Sequence, residues 1–334
     1  MNNRSLFSIT LLLIVSLLMG CTTPKGIESP TTSVSTYPVT VESCGEPITF
    51  DSAPKRALSF DTNMTEIMLA LGLEDRMVGY WISGVPVGNE YQEQVKNIPL
   101  ISTVTWPPPS LEVVLSFNSD FVFGAWNYNF SEESGVTPEK LATAGIKSYV
   151  LTESCIAVGM KPDESLESTY TDILNIGKIF GVETRAEKLV NQMREKIATV
   201  QAKIGKVNPP LRGFYYGGGS DAAFTAGKYA MATKLMSAVG TKNIFGDIED
   251  DWIPAAGWEK IIELDPEFIV IDDTPWESAE QRIKTLESLP KLASITAIRE
   301  KRYIVLPWTY ILPGMEMDEG IEALAKALYP ELLP

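Results

Sequence analysis

The chain contains no histidine, and no other absence in its composition removes more chemistry. Histidine-ligated haem and histidine-bound zinc are excluded, as are hydrolase triads that hold a proton on imidazole. A tyrosine-ligated haem stays open. Cysteine is scarce, at three in 334 residues. After the first twenty residues no stretch is apolar and long enough to read as a bilayer-spanning helix, so the body is expected to be soluble and extracytoplasmic. Basic residues are outnumbered, 28 against 43 acidic ones, which gives a formal net charge of −15, or −16 once Arg4 is lost with the leader. Nucleic acid and anionic lipid are poor partners for such a chain, and most of the excess acid reads as solvated surface.

What is present begins with that leader. Arg4 precedes an apolar run from Leu6 to Met19, which ends at the small Gly20 just before Cys21. The run is short for a membrane span and has the order of an export signal. Residues 1–20 are expected to be a lipoprotein signal peptide, because Cys21 resembles a bacterial lipoprotein acceptor whose thiol takes a diacylglyceryl group; a plain secretory signal is the alternative. Two acyl chains, at about 0.8 kcal/mol per buried methylene, would hold the protein on a membrane surface. Residues 21–37, rich in Thr, Ser and Pro without an apolar period, read as a flexible tether. Cys44 and Cys155 then remain in an oxidising compartment, where a disulfide between them is expected and two buried free thiols are the alternative.

Beyond the tether, strand and helix signals alternate. Apolar alternation around Cys44-Gly45-Glu46-Pro47 predicts a hairpin over 39–50. Strands predicted at 56–60, 78–81, 120–125 and 147–151 interleave with helices at 64–71, 110–117 and 138–144. From 162 to 206 the strand signal vanishes, and apolar residues at helical spacing predict one helix to Phe180 and a second over 184–204, separated by Gly181. At about 1.5 Å per residue the second helix is roughly 30 Å long, enough to join two lobes. Past Asn208-Pro209-Pro210 the alternation resumes, with strands at 211–216, 268–272 and 302–306 and helices at 230–239, 258–264, 279–288 and 318–328. The expected fold class is α/β: two Rossmann-like lobes with mainly parallel central sheets, joined by one long α-helix, with a ligand cleft between them. The expected divisions are an N-terminal lobe at 38–182, a linking helix at 183–207 and a C-terminal lobe at 208–334.

The two halves also share a repeat. Residues 110–123 align without a gap on 257–270, with Glu112 on Glu259 and Phe121 on Phe268 as the only identities. Each copy reads as a small residue able to cap, Glu two places on, an apolar helical turn, a polar break with an acid, then a buried strand. Trp and Pro precede both copies, in Trp106-Pro107 and in Trp252-Ile253-Pro254. Matching carboxylates therefore fall at matching points of two related lobes.

The stretch from Arg56 through Phe60, Asp61, Asn63 and Glu66 to Gly79, together with Ser110-Leu111-Glu112 and Gly257-Trp258-Glu259, resembles the substrate-binding lipoproteins of ABC importers for iron-siderophores, haem and vitamin B12. The resemblance covers about residues 39–330. It implies two α/β lobes joined by one long helix, with ligand held between them and little hinge motion. It also implies that Glu112 and Glu259 sit on the two lobe tops and meet arginines of a membrane permease dimer. In a first turn, a glutamate that merely complements the helix dipole, by about 0.3 to 1 kcal/mol, is the simpler alternative.

Trp106 stands where the vitamin B12-binding member carries a ligand-contacting tryptophan, and Trp126 and Trp252 approximate two more such positions, each offset by one residue. Trp81, Tyr216 and Tyr310 follow predicted strands and are further candidates for the cleft. Asp61, in place of the family's commoner Ser-Pro stretch, and Asp273 are the candidate polar contacts, with a helix cap as the alternative for Asp273. No cofactor or directly bound metal is expected. The cargo suited to an acidic, aromatic cleft is a neutral or cationic ferric hydroxamate, with a corrinoid as the alternative, rather than an anionic catecholate. The chain is expected to act as a lipid-anchored monomer on the outer side of the cell membrane. Competing readings are a sensory or adhesion lipoprotein without a permease, and a glycosidase built on paired carboxylates.

Overall fold

The computed structural model describes residues 36–333. The signal segment 1–20, the acceptor Cys21 and nearly all of the 21–37 tether lie outside the described residues.

The predicted hairpin forms from β1 (Val39–Ser43) and β2 (Glu46–Phe50), paired antiparallel about Cys44-Gly45. Both turn residues have positive φ, 48° and 82°, the conformation a tight reversal demands and glycine supplies at no steric cost. Cys44 is thereby presented to Cys155, and the two form a disulfide with Cα atoms 5.2 Å apart.

Four parallel strands follow: β3 (Ala57–Phe60), β4 (Met77–Trp81), β5 (Phe121–Gly124) and β6 (Lys147–Val150), in spatial order β4-β3-β5-β6. Their crossovers carry the helices α1 (Thr62–Ala70), α2 (Gln92–Val95), α3 (Leu111–Ser116) and α4 (Pro138–Thr143). Next come α5 (Glu167–Phe180) and the 22-residue α6 (Glu183–Ile204), separated by Gly181 at φ 71°. On α6, Ala186, Val190, Met193, Ile197, Val200 and Ile204 are buried at spacings of three and four, so one stripe of the helix lies in the core while the rest is wet.

The second sheet is built from β7 (Arg212–Tyr216), the short β9 (Lys242–Asn243), β11 (Phe268–Asp273) and β12 (Tyr303–Pro307), ordered β12-β11-β7-β9 and again wholly parallel. Between them stand α7 (Met231–Ala238), α8 (Trp258–Leu264), α9 (Ala279–Ser288) and α10 (Thr296–Arg299), and α11 (Met317–Leu328) closes the chain. Numbered within each lobe, both sheets have the spatial order second-first-third-fourth. The aligned segments 110–123 and 257–270 occupy equivalent places, each supplying the helix before the third strand and that strand itself. The repeat read from sequence is therefore a repeat of topology. One pair was not foreseen: β8 (Ala223–Ala226) and β10 (Trp252–Ala256) form an antiparallel arm after β7.

Candidate ligand cleft

Parallel strands leave their carboxyl ends as the natural place for a ligand, since the loops that leave them diverge there. In this chain both sheets contribute such ends to one recess of about 440 Å³. From the first sheet come Asp61 directly after β3, Trp81 closing β4, and Asn127 and Tyr128 shortly after β5. From the second come Trp276 after β11 and Trp308 after β12, while the antiparallel arm adds Phe224 and Trp252. Trp106 reaches the recess on a loop that Trp81 secures by donating from its indole Nε1 to the Val104 carbonyl at 2.9 Å.

Five of the seven tryptophans line this space, and among the described residues no lysine or arginine does. Trp252 is the centre of the aromatic wall of the recess. It stacks on Phe224 at 5.4 Å and 17°, and on Trp308 at 6.3 Å and 29°, with Trp276 edge-on to Trp308 at 5.8 Å. Tyr215 supports Trp252 from behind at 5.6 Å, its hydroxyl donating to buried Asp272 at 2.7 Å, and Asp272 is in turn paired with Arg282. Trp106 and Trp276, 65% and 55% exposed, stand at the mouth from opposite lobes. Exposed indoles flanking a recess are surface that an occupant would cover.

Among the described residues Asp61 is the one carboxylate lining the recess, and it is only 3% exposed. Its backbone sits at φ 69°, held by its own N–H donating to Trp81 O at 2.7 Å and its carbonyl accepting from Thr65 N at 3.1 Å. The side chain caps α1: Oδ1 accepts from Thr62 N at 2.8 Å, Ser83 Oγ at 2.9 Å and Ser83 N at 3.3 Å. Burial raises its pKa, and the hydrogen bonds from Thr62 and Ser83 oppose that rise.

Of the residues anticipated for the cleft, Trp106, Trp252, Trp81 and Asp61 come together in this recess, and four others lie elsewhere. Trp126 packs edge-on against Phe130 at 6.1 Å in the first lobe's core, because Asn127 at φ 63° reverses the chain and brings Tyr128 to the recess instead. Tyr216 points to the opposite face of β7 from Tyr215; it is fully buried against Trp258 at 5.9 Å, with its hydroxyl on Gly219 O. Asp273 is exposed and accepts the first N–H of α9, from Ala279, at 2.8 Å, while Ser278 is the N-cap of that helix. Tyr310 lines a separate, acidic recess beside α6 with Glu90, Glu316 and Glu319. Sequence reasoning did not select Trp276, Trp308, Tyr128 or Phe224. For the first two the rule of strand carboxyl ends was sufficient signal; Phe224 depended on a strand that was not foreseen.

Glu112 and Glu259 are exposed in the first turns of α3 and α8. Crossover helices run against the parallel strands they connect, so both first turns lie toward the carboxyl side of the sheets, the side of the recess. The capping expected of the preceding residue is absent: Ser110 makes no side-chain cap hydrogen bond, and Gly257 has no side chain to do so.

Residues 59–310 match the periplasmic binding protein family, and the chain belongs to it. Its relatives are substrate-binding proteins of ABC importers. The uncharacterized ABC transporter substrate-binding lipoprotein YvrC of Bacillus subtilis is 25% identical over 337 residues, 99% of each chain. The vitamin B12-binding protein of Yersinia pseudotuberculosis is 22% identical over 226 residues, 66% of this chain and 71% of that one. Among solved structures, a periplasmic binding protein from Veillonella parvula superposes with a TM-score of 0.76 at 26% identity, covering 87% of this chain and 97% of the other.

Proposed function

We propose that the protein is the extracytoplasmic, lipid-anchored binding component of an ABC importer, and that its cargo is a metal chelate of the corrinoid class. The observation that carries the cargo is the lining of five tryptophans with Tyr128 and Phe224 and, among the described residues, no lysine or arginine. Such a lining suits a large cargo that carries broad apolar faces and little negative charge. The absence of cationic side chains from the lining disfavours catecholates and other strongly anionic cargo, which would enter without a counter-charge. Similarity to a vitamin B12-binding protein supports the same reading. A ferric hydroxamate, uncharged or cationic, is the second reading, supported by that same cation-free lining.

Glu112 and Glu259, exposed at equivalent points of the two lobes, act in this proposal as the contacts for a permease dimer. Exposed ion pairs give register and encounter rate more than affinity. A glycosidase needs two carboxyl groups across its cleft, and this recess is lined by one, Asp61.

Quenching of the intrinsic tryptophan fluorescence tests the cargo, with cyanocobalamin, cobinamide, ferric hydroxamates, a ferric catecholate and haem as titrants. Saturable quenching by a corrinoid at submicromolar concentration is expected. Saturable binding of the catecholate or haem, with none of a corrinoid or hydroxamate, would refute the reading.

A further inference from the structure

The aromatic wall accounts for contact area but not for selection, because apolar contact discriminates poorly between cargoes of similar size. Selection needs a fixed polar group, and the recess has an ionisable one in Asp61. Its carboxylate is divided in function. Oδ1 is occupied by three donors from Thr62 and Ser83, and among the described residues no hydrogen bond reaches Oδ2. Because the residue is 97% covered yet lines the recess, Oδ2 is the oxygen left for an occupant. Burial raises the pKa of the group, while the three donors on Oδ1 work against that rise, and an N–H donated to Oδ2 would add to them in favouring the acceptor form. The α1 cap and the backbone bonds to Trp81 and Thr65 leave it little freedom to turn away.

We propose that Asp61 Oδ2 is the selectivity element of the cleft, accepting an N–H from a peripheral primary amide of the cargo and rejecting the corresponding carboxylate. This rests on the corrinoid reading, since corrins carry such amides around the macrocycle. The amide pays little to enter, as it exchanges a water for a charge-assisted hydrogen bond. The carboxylate meets a like charge in a space with no cation to compensate, and a buried group left without its partner is strongly penalised.

The test uses Asp61→Asn, since Asn is as good an N-cap as Asp and tolerates positive φ. Asp61→Ser, which also keeps a capping oxygen, serves if the first variant does not fold. Cobinamide and cobyrinic acid, in which the amides are carboxylates, are titrated into wild type and variant by fluorescence quenching. The wild type is expected to prefer cobinamide by at least 100-fold, and the variant to narrow that ratio at least tenfold. Glu42→Gln, which removes the same charge at an exposed position of β1 outside the recess lining, is expected to leave the ratio unchanged.

A ratio that moves less than threefold in the Asp61 variant, or moves equally in Glu42→Gln, overturns the assignment. If wild type binds ferrioxamine B but no corrinoid, the corrinoid reading fails while Asp61 is still tested. The pair is then ferrioxamine B, with its terminal ammonium, and its N-acetyl form. An Asp61→Asn variant that discriminates between those two as well as wild type overturns the assignment, and loss of the preference upholds it. Binding of none of these probes overturns both.

Discussion

Glu66 offers a quantitative test of what burial does to a carboxyl of the first lobe. It lies on α1, is 1% exposed, and accepts a hydrogen bond from Gly88 N at 2.7 Å. Burial, helped by the neighbouring carboxylates of Glu316 and Glu90, pushes its pKa from 4.5 to about 8, against the opposing effect of the Gly88 bond. A carboxyl whose folded pKa lies above its unfolded value keeps its proton longer in the folded state. Folding then binds a proton between the two values, and stability falls as pH rises through that window. At about 1.36 kcal/mol per pKa unit, the cost that appears between pH 5 and pH 9 is on the order of 4 kcal/mol. Glu66→Gln keeps an oxygen for Gly88 and carries no charge at any pH. The variant and wild type should therefore differ little at pH 5, whereas at pH 9 the variant should be more stable. With a urea m-value of about 2 to 3 kcal/mol/M, its midpoint should then lie roughly 1 to 2 M higher. Comparison with wild type at each pH removes the contribution of every other titrating group. A stability difference that is the same at both pH values, to within about 1 kcal/mol, would refute the assignment of Glu66 as a buried, proton-retaining carboxyl.

The Cys44–Cys155 disulfide joins residues 111 apart, so replacing both with Ser should cost about 4 to 5 kcal/mol in the chain-entropy account. Urea midpoints with and without reductant measure it, and a loss below about 1 kcal/mol would show that the bridge constrains little. Trp252→Ala removes the centre of the aromatic wall and should weaken cargo binding roughly 10- to 100-fold, about 1.4 to 2.8 kcal/mol. An unchanged Kd by fluorescence or calorimetry would place the cargo elsewhere. Charge reversal in Glu112→Lys with Glu259→Lys should abolish uptake by cells while the Kd for free cargo stays within about twofold. Uptake that survives the double reversal would remove both glutamates from permease contact.

The frame of the molecule was legible because the signals for it are long. The 22 residues of α6 carry a continuous apolar stripe, and the 110–123 and 257–270 segments repeat a helix and a strand together. The disulfide was equally open to reading once compartment and cysteine number were considered. Which member of a doublet faces the cleft was not legible, because side chains alternate along a strand and one step of register exchanges the two faces. Tyr215 rather than Tyr216 supports the wall, and Asp272 rather than Asp273 is buried. Trp126 was displaced by one left-handed residue, Asn127, whose conformation the strand pattern does not foreshadow. The β8–β10 arm escaped notice for a different reason. Its strands are short, one is rich in alanine, and the other contains Pro254, a residue that argues against a central strand.

The long helix between the sheets is clasped along its length. Its apolar stripe is buried, and Lys196 reaches Asp318, Glu319 and Glu322 at the start of α11. A strut anchored in this way resists bending, because a swing of the second lobe must break contacts on the helix. An empty and a loaded molecule would then share nearly the same silhouette. A membrane partner could not tell them apart by closure, and would have to sense the bound molecule itself, protruding between the indoles at the rim.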